Sequence, residues 1–389
     1  MPRTVEISRS KVRSIVFGGS ETVAVALQSD LIPLVDLEKG TVKRTIDVAK
    51  KIAGIHFAFT KTPVLYAVDD SFGVHVFDIR ADSKKKLRLN PDVENHQAKC
   101  SAISDNYIAI ASSCFIQPVV KKRKNQKEYS DDEEDTMTSH VISIFDARNP
   151  CAAVMTLSKY HPAEITSMAF DRKGVRLAVG DSAGNLNMFD LLNRKKPQIV
   201  PPKQLNATVL TNGFISRVVR YALTADNTVH SYVDDDGGED ILFVKKFPDN
   251  EHVIHVMKGS CDDFPVDTIS TNDEGKLFIR TIEQDGEEVR LLKRWSGHKS
   301  RALVAAYNDE IVVTGGSDGL LVINPVDLSA GADVFINENE KAAEKRKKDP
   351  EEVKTPSKKE TDAKKKAKSS KNDSESKKKS SSSNGVAAK

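Results

Sequence analysis

The chain has 389 residues, 39% of them hydrophobic and 30% charged, and a formal net charge of +3. That charge is unevenly spread: residues 338–389 carry 17 Lys+Arg against 10 Asp+Glu, a net of +7 that leaves the remainder at −4, so the basicity belongs to a tail and not to a folded surface. No apolar run approaches the roughly 18 residues of a membrane helix, the N-terminus has no apolar core of a secretion signal, and Cys100, Cys114, Cys151 and Cys261 show no zinc or disulfide spacing, which predicts a soluble intracellular protein with reduced, inert thiols.

In chain order, an isolated strand-like run, TVEIS (4–8), precedes a first unit of four short runs, KVRSIVF, TVAVALQSD, LIPLVDLEKG and TVKRTI. A second unit follows in IAGIHF (52–57), VLYAVDD (64–70), SFGVHVFDIR (71–80) and KKLRLN (85–90). The plan then recurs with first strands near Cys100, Ile165, Asn206, Val253 and Ala302, after Val12 and Ile52. Strand-length apolar runs broken by Gly, Asn and Asp, repeating at about 40 residues, predict an all-β chain folded as a seven-bladed β-propeller over residues 1–330. One step is long because residues 117–139 insert a polar, disordered segment between two strands of blade three. The seventh unit lacks a fourth strand after residue 328, so the N-terminal run is predicted to complete it and protect the exposed edges.

The Phe77-Asp78, Phe145-Asp146 and Phe189-Asp190 pairs close third strands, and Gly297-His298 precedes a first strand. These residues resemble the WD40-repeat family, which places Trp-Asp and Gly-His at those positions. The resemblance covers residues 4–328 and implies a blade tie in which His298 meets the turn acid Asp318, with Thr314 supplying a hydroxyl and Ile323 standing where the aromatic would be. His161 matches the same position in blade four, with Ala183 where the acid would stand. The resemblance also implies a disc that docks peptides and proteins, with no catalysis and no cofactor.

Other candidates for chemistry reduce to structure. His252 and His255 are three apart on a strand, so simple alternation puts them on opposite faces, unable to share a metal. Asp234, Asp235, Asp236, Glu239 and Asp240 surround Gly237-Gly238 in a solvated turn. Gly-Gly pairs at 18–19 and 315–316 open no helix that would cradle phosphate. No catalytic, metal or cofactor site is nominated.

Two polar segments carry functional information. Lys121, Lys122, Arg123 and Lys124 form a compact exposed block resembling a nuclear localisation signal. Ser130 precedes five acids, the pattern of an acidophilic kinase site whose phosphate would offset that block. The tail from 338 onward is too poor in apolar residues to fold. Its clusters, among them Lys345, Arg346, Lys347, Lys348 and Lys364, Lys365, Lys366, suit non-specific, salt-dependent attraction to RNA phosphates, tuned by a proline-directed phosphorylation site at Thr355. Its composition is similar to nucleolar proteins. The reading is a nuclear, nucleolar scaffold, monomeric on its own, that assists ribosome biogenesis through protein partners. The alternative is a substrate receptor of a cullin-based ubiquitin ligase, because Phe-Asp-x-Arg at Arg80 and Arg148 resembles the Trp-Asp-x-Arg ending of such receptors.

Overall fold

Short runs of Val, Ile, Leu and Thr favour extended backbone, where branched side chains pack on a pleated surface. Asp, Asn and Gly between them supply tight turns. In the computed structural model these runs become seven four-stranded antiparallel sheets. The residues described are 2–58, 64–80, 83–116, 137–193, 197–198, 203–235, 238–259, 266–287 and 289–326.

The innermost strands are Val12–Phe17, Ile52–Ala58, Gln97–Ile103, Ile165–Phe170, Val209–Phe214, His252–Lys258 and Ala302–Tyr307. Each begins within three residues of its sequence-based position. Neighbouring blades meet largely through these strands, and contact runs on from the seventh to the first. The ring therefore closes.

Its core is a series of wedges between blades. Ile32, Leu34 and Ile46 of blade one pack on Ile55, Leu65 and Phe77 of blade two. Ile142, Ile144 and Leu157 of blade three pack on Ile165, Leu177 and Phe189 of blade four. Second strands are covered on both sides, so Thr22–Leu27 is buried throughout, which explains its unbroken apolar run in place of alternation.

The Phe-Asp pairs have separable jobs. Phe77, Phe145 and Phe189 are buried plugs. The Asp that follows each caps the turn: Asp78, Asp146 and Asp190 accept the amide two residues on, each at 2.9 Å.

Every innermost strand carries a bulge after its first or second residue, between Val12 and Ser14, Ile52 and Gly54, Ala98 and Cys100, Ile165 and Ser167, Val209 and Thr211, Val253 and His255, and Ala302 and Val304. An extra residue bends and twists a strand locally, here at the tightest radius of the ring. The bulge corrects the reading of His252 and His255. They oppose Thr271 and Ile269, which are two apart, so both histidines lie on one side of the sheet and not on opposite faces.

Closure follows the expected route. Arg3–Glu6 is the outermost strand of blade seven, with Arg3 opposite Ile323 and Glu6 opposite Leu320. Val5 is buried in the wedge between blades seven and one, with Val313, Leu321, Val25 and Leu27. Just beyond the strand, Gly319 holds a left-handed φ of 71°, and a Cβ there would strike the Ser8 carbonyl oxygen.

Three boundaries differ from the sequence reading. In blade five, Thr228–Asp235 and Gly238–Lys246 take Asp234, Asp235, Glu239 and Asp240 into paired strand, where a solvated turn was expected. The third strand of blade three is Met137–Asp146, so the last three residues assigned to the insertion are paired strand, opposite Cys114 to Ile116. In blade four, where only a Pro-rich connection was expected, Lys203–Gln204 pairs with Asn185 and Leu186 as a short fourth strand.

Removing residues 1–8 strips blade seven of its fourth strand and Val5 from the adjoining wedge. The full-length chain so truncated is expected to melt at least about 5 °C lower by circular dichroism; an unchanged melting temperature contradicts this closure.

Candidate functional site

A cluster of buried titratable side chains is where chemistry would sit. Most prove to be ties within blades. His298 Nδ1 faces Asp318 Oδ1 at 3.3 Å and its Nε2 meets Thr314 Oγ1 at 2.8 Å, as the resemblance implied. In blade four the acid is not missing: Asp181, two residues before Ala183, meets His161 Nδ1 at 3.1 Å and accepts the Asn185 amide at 2.8 Å and side chain at 2.8 Å. Burial pushes the Asp181 carboxyl up, but the His161 and Asn185 bonds outweigh it and hold the group below the usual carboxylate range.

Two further ties have no local sequence pattern. In blade two, His75 Nε2 meets Asp69 Oδ2 at 3.0 Å while Asp69 Oδ1 accepts the Gly73 amide at 2.7 Å. In blade six, Arg280 grips Glu251 through two bonds of 2.7 Å, and Ser270 donates to the same carboxylate. Nothing short of the fold joins residues 29 positions apart.

These groups are already engaged. Among the described residues no set of three His, Cys, Asp or Glu could hold a metal. Burial lowers His255 to about 4 and His56 to about 4, the latter beside Ser101 Oγ at 2.9 Å.

What the fold leaves open lies on its two faces. On the upper face, where innermost strands begin and Tyr107–Ile116 ends, each bulge presents one residue of the inner ring. In blades five, six and seven these are Leu210, Ile254 and Leu303. Leu210 is 52% and Leu303 38% exposed, although both belong to the innermost layer. Leu210 on blade five and Leu303 on blade seven thus stand exposed on this face, while Ile254 between them is half-buried against the wedge between blades six and seven.

On the lower face, a groove of about 890 Å³ opens where blades seven, one and two meet. Phe17, Leu34, Phe57 and Ile79 are its apolar lining, with Lys43, Arg44 and Arg80 on one side and Glu21, Asp309 and Glu310 on the other. Gly18 makes the close packing there possible: a Cβ would sit 2.6 Å from the Phe57 ring.

Arg80 therefore lines a groove. Arg148 does not join it; its side chain is 79% exposed and turns back to Asp146 at 3.5 Å. Lys121, Lys122, Arg123, Lys124, Ser130, Thr355, Lys345, Arg346, Lys347, Lys348, Lys364, Lys365 and Lys366 lie outside the described residues.

No family model and no curated protein matches the sequence. Solved structures do match. A chain from the crystal structure of the mitotic checkpoint complex is 15% identical, with 83% of this chain and 91% of that one covered, at a TM-score of 0.62. The computationally designed protein Ika8 is also 15% identical, over 83% and 98% of the two chains, at a TM-score of 0.54. The fold is that of a WD40-like propeller. At such identity the likeness carries the architecture alone.

One buried acid stands apart from the ties. Asp267, in the second strand of blade six, is fully buried, and neither carboxyl oxygen has a hydrogen-bond partner among the described residues. Burial pushes it up to about 7. The unfolded chain releases this proton near pH 4 while the folded chain keeps it, so stability falls as pH rises from about 4 to about 7 and is level above that. Asp267→Asn is expected to raise the melting temperature at pH 8 and to lose that advantage near pH 4; a variant no more stable than the parent at pH 8 contradicts this.

Proposed function

We propose that the chain is a non-catalytic propeller scaffold of the nucleus, concentrated in the nucleolus, that holds partner proteins on its disc and assists ribosome biogenesis. The observation that carries the scaffold reading is the exposure of Leu210 and Leu303 on the upper face, beside the half-buried Ile254. Leucines on the innermost layer of a closed ring have no packing reason to face solvent, and grouped exposed apolar residues are what protein interfaces use. The solved propeller within the mitotic checkpoint complex supports protein partners in general.

The nuclear and RNA components rest on the sequence. The block at Lys121 to Lys124 would be the import signal, with Ser130 beside it as a charge switch. The tail lysines would add weak affinity for RNA backbones that fades with salt. A second reading, the cullin-based ligase receptor, is favoured by one observation: Arg80 of Phe77-Asp78-Ile79-Arg80 lines a groove, whereas Arg148 turns back to Asp146.

A photo-crosslinking residue placed at Leu303 of the full-length chain in cells tests the reading, with Leu192, exposed after the third strand of blade four, as the control position. Discrete adducts to ribosome-assembly proteins from position 303 and none from 192 are expected, within a nuclear protein that Lys121→Ala to Lys124→Ala substitutions hold in the cytoplasm. A ligase adaptor crosslinked instead, or equal adducts at both positions, overturns it.

A further inference from the structure

The overall charge of the body is negative, yet one interblade cleft is strongly basic. The outermost strand of blade two, Ser83–Arg88, reads SKKKLR and holds no acid. Lys84, Lys86 and Arg88 stand opposite Phe77, His75 and Gly73. Phe77 packs against blade one, whereas Val74, flanked by Leu87, packs against blade three. Alternation therefore puts Lys84, Lys86 and Arg88 on the side that faces blade one. Lys84 Nζ lies 5.5 Å from the centre of the Phe77 ring, and Lys86, 48% exposed, reaches Asp69 at 3.5 Å.

This cationic side is continuous in the fold with the lower-face groove, because the turn after Asp78 brings Arg80 into the groove lining beside Lys43 and Arg44 of blade one. The groove lining brings together the cations Lys43, Arg44 and Arg80, the half-buried Phe17 and Ile79 over buried Leu34 and Phe57, and the acids Glu21, Asp309 and Glu310 from blades one and seven, while Lys84, Lys86 and Arg88 stand on the outer strand beside it. The sequence separates these residues by more than 200 positions, and only ring closure joins them.

We propose that this groove and the outer strand beside it dock an extended peptide whose acidic run lies over Arg80, Lys84, Lys86 and Arg88 while an adjacent apolar side chain seats against Phe17 and Ile79. Charge complementarity chooses the acidic occupant. The apolar lining and the acids beside it choose a peptide over RNA: a phosphate backbone laid through the groove would run onto Glu21, Asp309 and Glu310, and phenyl and aliphatic groups offer it no charge contact. Lysines also blunt the open edge of an outer strand, but that role does not require Arg80 and Arg44 beside an apolar lining. The proposal is independent of the exposed leucines on the upper face.

Fluorescence anisotropy on the full-length chain tests it, with a short labelled peptide carrying one leucine followed by a run of glutamates, its glutamine counterpart, and a single-stranded RNA of similar length. The acidic peptide is expected to bind at least about tenfold more tightly than the glutamine peptide, and whatever RNA affinity the tail lysines supply is expected to be unchanged by substitutions in the groove. Arg80→Glu with Lys84→Glu is expected to abolish that margin, while Arg290→Glu with Arg294→Glu on the rim of blade six preserves it. Melting temperatures check folding, and Arg80→Gln with Lys84→Gln replaces the Glu pair if that pair unfolds. Equal affinity for the glutamine peptide, RNA binding that is lost in the blade-two variants, or an acidic margin that survives those variants overturns the proposal.

Discussion

Four residues at the start of the chain, Arg3–Glu6, hydrogen-bond along Leu320–Pro325 near the end of the described body, and the ring depends on that pairing. A blade cannot bury both of its faces alone; each needs a neighbour on either side, so an open arc would expose two apolar sheet faces and a strand edge. The pairing converts a row of blades into a circle and adds Val5 to the wedge between the last blade and the first. The lower-face groove depends on the same event, because its lining comes from blades seven, one and two.

The architecture was legible in the sequence because its signal is repetition. A strand meander recurring at about 40 residues survives the loss of individual motif residues, and the lone TVEIS run beside an incomplete seventh unit pointed to the closing strand. Single positions were less legible where geometry shifts parity. A bulge after the opening of each inner strand moves later side chains to the other face, so the alternation applied to His252 and His255 failed, as it would in any of the seven inner strands. The tie in blade four is hard to read from the sequence for a related reason: the same spot can be reached by an acid at the strand end, Asp181, or in the turn, Asp318, and the matching turn position of blade four holds Ala183.

Surface chemistry was least legible. Net charge averages over the body and conceals the cleft, where Lys84, Lys86 and Arg88 share one side of an outer strand and Arg80 approaches from the preceding turn. The exposed leucines were equally hidden, since Leu210 and Leu303 sit in apolar runs that read as core; only the bulges release them to solvent. The two faces thereby differ, with exposed leucines on blades five and seven above and a groove lined by both charges between blades below. A disc with two unlike docking surfaces suits a part that joins partners, and buried polar residues committed to ties suit the rigidity such a part requires.

Ring closure is tested most directly by native-state hydrogen exchange, which reports opening free energy strand by strand. With the termini paired, amides of Ile311–Gly316 and Leu320–Pro325 in the last blade should exchange only through the same global opening as those of Arg176–Asp181 in blade four. Exchange of the last blade through a separate, lower-energy opening that leaves blade four protected would contradict a ring that folds as one cooperative unit.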